Sequence, residues 1–197
     1  MELEIMSDKT TTEYTQAVHK SKDIFLKKME DYGTAWRVLR TNSITDQIFI
    51  KAKRIRSIEQ KVQQRVNEGI EPEFIGVVNY AIIALMQLEI GELVMKENED
   101  TNIPEVPKDE VESRYDHHIG YAYELMSNKN HDYDEAWRDM RISSLTDLIL
   151  MKLLRIKEIE NNEGKTLISE GVDANYYDII NYAIFALIKL EGEGITG

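Results

Sequence analysis

One block of this chain occurs twice. Lys28, Asp31, Tyr32, Ala35, Trp36, Arg37, Arg40, Ser43, Thr45, Asp46, Ile48, Lys51, Arg54, Ile55, Ile58 and Glu59 return 101 positions later, from Lys129 to Glu160. That makes 16 identities in the 32 positions from 28 to 59, where ordinary residue usage gives about two by chance. After one inserted residue the match resumes as Asn79-Tyr80-Ala81-Ile82 against Asn181-Tyr182-Ala183-Ile184, and it runs on to Leu88-Glu89 against Leu190-Glu191. A chain of this kind is built from two copies of one unit. Between the copies the sequence is acidic and carries Pro104 and Pro107, two of its three prolines, which marks a linker. The division read from these signals is a tail over 1–11, a first repeat over 12–91, a linker over 92–111, a second repeat over 112–191 and a tail over 192–197.

Each repeat reads as three longer helices and one short one, so the expected fold is all-α: two tandem, pseudo-twofold-related modules forming a helical bundle. The first helix is expected from about Glu13 to Glu30. It stops near Gly33, which suits a left-handed C-cap, and in the copy by Asp134, which tolerates that conformation at modest cost. Ser43-Ile44-Thr45-Asp46, repeated as Ser144-Leu145-Thr146-Asp147, resembles a capping box and predicts the start of the second long helix. The last helix is expected after Pro72. Its body, Phe74 to Leu85, is apolar all round and belongs in the centre of a bundle.

A net charge of -12 repels polyanions and argues against direct nucleic-acid binding. A small phosphate ligand is still allowed, because salt screens distant charge beyond about 10 Å. With no cysteine in the sequence, disulfides, thiolate metal sites and cysteine nucleophiles are excluded. The acidic N-terminal residues do not read as a signal peptide. The apolar runs Phe74 to Leu88 and Ile179 to Leu190 fall short of the roughly 20 residues that span a bilayer. A cytoplasmic protein with no membrane partner is the expectation.

The informative positions are polar residues in apolar places. At 100° per residue, Lys51 falls inside the stripe formed by Ile44, Ile48, Ile55, Ile58 and Val62, and Lys152 falls likewise among Leu145, Ile149, Ile156 and Ile159. A buried ammonium needs an anion, so a negative group should meet each lysine unless its stem packs and its head reaches water. Arg54 and Arg155, three residues on, share the same face. Asn79 and Asn181 interrupt the apolar helices, and a buried amide there either ties helices together or contacts a ligand. Lys28-x-x-Asp31-Tyr32-Gly33-x-x-Trp36-Arg37 and its copy with Asp132, Tyr133 and Trp137 hold both tryptophans of the chain. Such a cluster either packs as a corner or stacks a base beside a phosphate.

Taken together, Lys-x-x-Asp-Tyr-Gly-x-x-Trp, Ser-x-x-Asp, Lys-x-x-Arg-Ile and Asn-Tyr-Ala-Ile resemble a helical family, nucleotide modification associated domain 1, from about Tyr14 to Glu89 and again from Tyr115 to Glu191. The resemblance implies an association with the handling of modified nucleotides and no defined reaction. It also implies an acid just ahead of the Asn-Tyr segment. Asp178 keeps this acid in the second repeat, whereas Gly76 replaces it in the first. Three readings follow. The chain binds a nucleotide or other small phosphate ligand through Lys51, Arg54, Lys152 and Arg155, with the aromatic clusters near the base. Alternatively it is a magnesium-dependent, MazG-like nucleoside triphosphate pyrophosphatase, with Asp178 as the candidate metal ligand. The third reading is a non-enzymatic helical scaffold. Whether the chain is an enzyme is left open by its sequence.

Overall fold

The computed structural model describes residues 2–60, 69–93, 103–162 and 171–194, with the side chains of 2–8 and 131–133 excepted. Val62 of the predicted stripe lies outside the described residues. So do the side chains of Asp132 and Tyr133. Among the described residues six helices follow one another: α1 (Glu2–Tyr32), α2 (Thr41–Gln60), α3 (Glu71–Ile90), α4 (Lys108–Tyr133), α5 (Ile142–Asn161) and α6 (Val172–Gly192). A short 3-10 turn precedes α2 (Ala35–Val38) and another precedes α5 (Ala136–Asp139). There is no strand among the described residues.

The two apolar helices, α3 and α6, pack on each other at the centre, and α2 and α5 pack on them and across to one another. By length and composition α3 could cross a membrane, but 72% of its apolar window is buried inside the fold. Ile44, Ile48, Ala52 and Ile55 of α2 are fully buried, as are Leu145, Ile149, Leu153 and Ile156 of α5. Each set lies three or four residues apart and so forms one helix face.

Both halves stop their first helix as expected. Gly33 has φ +57° and its amide bonds the Met29 carbonyl at 2.8 Å. Asp134 has φ +52° and its amide bonds Asn130 at 2.9 Å. The helix starts differ from the sequence reading. α1 begins at Glu2, ahead of the expected start, and Thr10 on it is buried. α4 begins at Lys108, so the last residues assigned to the linker are helical. The capping box does not form, because α2 begins at Thr41, two residues before Ser43. Its cap comes from afar: the Glu92 carboxylate accepts the Thr41 amide at 2.6 Å and the Thr41 hydroxyl at 2.8 Å. Those bonds hold the Glu92 carboxyl below its usual pKa.

The halves are joined by reciprocal bonds that exchange partners between repeats. Tyr14 of α1 donates to Asn181 Oδ1 of α6 at 2.8 Å, and Tyr115 of α4 donates to Asn79 Oδ1 of α3 at 2.9 Å. The Thr45 hydroxyl donates to Glu160 at 2.7 Å, and that of Thr146 donates to Glu59 at 2.9 Å. Lys157 pairs with Asp46, and Arg56 lies 3.6 Å from Asp147. Each of these bonds has its mirror, the signature of a pseudo-twofold axis. These pairs also show where Asp46 and Asp147 act, across the axis rather than at helix caps.

Candidate functional site

The site begins with Lys51. Its position on α2 points it at α3, where the residue facing it is Gly76. A Cβ at Gly76 would fall 2.7 Å from Lys51 Cε and 3.0 Å from Nζ, closer than real Cβ atoms approach, so the lysine stem lies in space the glycine vacates. The ammonium reaches Glu73, one turn earlier on α3, at 3.2 Å, and Glu73 also takes Arg54 at 2.8 Å. The expected anion is therefore supplied by the chain itself.

In the second repeat the anion sits elsewhere. Asp178 occupies the position of Gly76, and its carboxylate bridges Lys152 at 2.6 Å and Lys129 at 2.8 Å. Asn175 stands where Glu73 stands in the first repeat. Arg155 contacts Glu158 at 3.2 Å on its own helix. The two lysines predicted from the apolar stripe are thus both met, with side chains about one quarter and one fifth exposed, but by acids from different turns of the partner helix.

The counterpart of Lys129 is Lys28. With Gly76 in place of Asp178, no carboxylate among the described residues spans Lys28 and Lys51. Between them opens a cavity of about 390 Å³, within the range of small-molecule sites. Lys28, Lys51 and Asn79 supply its polar groups, and Phe25, Tyr32, Trp36 and Tyr80 supply its aromatic ones, with Ile75, Gly76 and Ile83 as the floor along α3. Lys51 Nζ lies 5.9 Å from the centre of the Tyr80 ring, a cation–π distance. The corresponding place in the second repeat is furnished differently. Phe185 replaces Ile83, and its ring stacks on Trp137 at 4.3 Å with planes 5° apart.

Other predicted residues are placed as follows. Tyr32 is 72% exposed at the cavity mouth, and Asp31 is exposed and does not line the cavity. Asn79 borders the cavity, but its amide is committed: Nδ2 donates to Ser21 carbonyl at 3.0 Å while Oδ1 accepts from Tyr115. Asn181 repeats this with Ala122 and Tyr14. Both asparagines tie helices together. The indole Nε1 atoms of Trp36 and Trp137 are both buried without a hydrogen-bond partner among the described residues. Since the two repeats share this feature, it does not single out the cavity. Arg37 is buried and donates to Gln87 and to the Gly91 carbonyl at 2.9 Å, clasping the end of α3.

Asp178 is not placed to hold a metal. Two ammonium groups occupy its oxygens, and no group of three His, Asp or Glu side chains suited to a metal occurs among the described residues. The residues present do not fit a magnesium centre, which needs oxygen ligands free of competing cations. Sequence reasoning set Lys28 in the tryptophan motif without pairing it with Lys51, and it missed Ile83 as a site residue. The signal for both was available as the difference between repeats, Gly76 and Ile83 against Asp178 and Phe185.

No curated protein and no solved structure matches the chain. The family model described as nucleotide modification associated domain 1 matches residues 28–88 and again residues 129–190. The two matches cover most of both repeats, including the lysine pairs and the tryptophan corners, and the chain belongs to that family as a tandem duplication of its domain.

Proposed function

We propose that the first repeat binds a small anionic ligand with a flat ring, a nucleotide, in the cavity between Lys28, Lys51 and Trp36. One observation carries the reading: two lysines and four aromatic rings converge on one cavity of about 390 Å³, with no carboxylate among the described residues joining the two ammonium groups. Ammonium groups supply point charges for a phosphate, and Trp36, Tyr32 and Tyr80 supply faces on which a base can stack. The family's name, with its reference to nucleotide modification, supports a nucleotide over other aromatic anions. A cavity bordered by Lys51 also favours a ligand site over a purely mechanical scaffold.

The test is calorimetric titration of the whole chain with a panel of nucleoside mono-, di- and triphosphates. Lys51→Met keeps the packed stem and removes the charge, and is expected to weaken binding about tenfold or more, the worth of one charge-assisted bond. Trp137→Phe leaves Trp36 as the sole tryptophan, so its fluorescence should change on titration. No heat from any nucleotide at about 5 mM, a concentration that detects even millimolar affinity, would sink the proposal.

A further inference from the structure

The two repeats share one scaffold, yet the second already fills the positions that the first leaves open. Along α6, Asp178 puts a carboxylate between Lys129 and Lys152, and seven residues later Phe185 lays a ring flat on Trp137. Along α3, the same two positions are Gly76 and Ile83, and both line the cavity. We infer that the second repeat is a self-occupied copy of the site, and that Asp178 and Phe185 stand where the first repeat takes the anion and the ring of its ligand. This rests on the ligand reading above and makes it specific.

Three consequences follow from the chemistry. First, the chain holds one ligand, not two. Second, one compact anionic group is enough, since a single carboxylate satisfies both lysines of the second repeat at 2.6 and 2.8 Å. Third, anion and ring belong to one molecule with a spacer between them. Seven residues are two helical turns, about 10 Å along the axis, so the two groups cannot be directly joined. A nucleoside monophosphate has this form, with a sugar between base and phosphate. Gly76 and Ile83 are then the residues that decide occupancy. Gly76 leaves Lys28 and Lys51 without an acid between them, Lys51 being held from one side by Glu73 at 3.2 Å, and Ile83 puts no ring on Trp36 where Phe185 covers Trp137.

The experiment transplants one repeat's arrangement into the other and counts sites with nucleoside 5′-monophosphates. The wild type should bind one molecule per chain, more tightly than it binds the free nucleoside or inorganic phosphate by roughly 30-fold. Gly76→Asp with Ile83→Phe should abolish that binding; the new Cβ displaces only the flexible end of Lys51, whose counterpart Lys152 sits beside Asp178 in the second repeat. Thermal melting checks that the variant is folded, and Ile83→Phe alone, which keeps Gly76, should weaken binding roughly tenfold. The reverse pair, Asp178→Gly with Phe185→Ile, should raise the stoichiometry to two. Two sites in the wild type, or a folded Gly76→Asp/Ile83→Phe variant that binds within about threefold of wild type, would overturn this assignment while leaving the ligand reading in place. No binding by the wild type would overturn both.

Discussion

Removing the hydroxyl of Tyr115 or Tyr14 should cost far more than a surface hydroxyl does, because each is the donor that satisfies an asparagine of the opposite repeat. Tyr115 is fully buried and bonds Asn79 at 2.9 Å; Tyr14 is 1% exposed and bonds Asn181 at 2.8 Å. Tyr→Phe deletes the bond and leaves an amide oxygen buried without a donor, a loss of about 1–3 kcal/mol. For a chain of this length, 1 kcal/mol moves the melting temperature by about 2–4 °C. Each single variant should therefore melt roughly 2–12 °C lower. The double variant should lose close to the sum if the two bonds are independent. Urea unfolding followed by circular dichroism measures this directly, with an unchanged dependence on denaturant as the sign that only stability has moved. Tyr123→Phe is the control: its hydroxyl, 2.8 Å from that of Thr11, is only partly buried. If Tyr115→Phe and Tyr14→Phe both fall within about 0.3 kcal/mol of wild type, below the cost of one unsatisfied buried group, the claim that these bonds lock the repeats together is wrong.

Glu59 and Glu160 should respond to pH in the sense opposite to ordinary carboxylates. Burial raises both carboxyls above their usual values despite the threonine bonds, so their contribution is greatest below the unfolded pKa of about 4.3 and is lost as pH rises through the folded value. Glu59→Gln and Glu160→Gln keep an acceptor for Thr146 and Thr45, and each should stabilise the protein at pH 7 by no more than about 1 kcal/mol after allowance for solvent screening, read as a higher urea midpoint. His118 has the reverse dependence. It is buried, with Nδ1 2.9 Å from the Tyr177 hydroxyl, and burial lowers its pKa. Its contribution is full above the unfolded value of about 6.5 and is lost as pH falls through the folded one, so His118→Gln should flatten the loss of stability measured from pH 7 to pH 5. At the helix ends, Gly33→Ala should destabilise by about 1 kcal/mol, because a Cβ is strained at φ +57°. Asp134→Gly should gain up to about 1 kcal/mol at the equivalent φ of +52°. Paired melting curves of the two variants would refute this if both moved the same way.

Local signals read well from the sequence, and distant ones did not. Gly33 and Asp134 announced helix stops because a left-handed residue leaves its mark at one position. The isoleucines around Lys51 announced a buried face, and a buried ammonium required an anion. Which acid would supply it was not legible, since Glu73 and Asp178 lie on different turns of another helix. Ser43 and Asp46 looked like a local cap, but the start of α2 is set by Glu92, 51 residues beyond Thr41, and Asp46 is drawn across the axis to Lys157. Tyr14 and Tyr115 recur at the spacing of the repeat, as do Asn79 and Asn181, but that each tyrosine serves the asparagine of the opposite repeat is revealed only by the packing of α1 and α4 against α6 and α3. The cavity depends on volume: Gly76 against Asp178 was visible as a difference of charge, but the effect of Ile83 against Phe185 appears only when Trp137 is seen beneath the larger ring.

Two identical subunits around a true axis must change in step, since one gene writes both. Here the mirror-related tyrosines hold the framework in register while the coding sequence of each half varies alone. That independence lets one half close its lysine pair on an internal carboxylate while the other keeps its chamber open, an asymmetry that twin copies of one subunit could not carry.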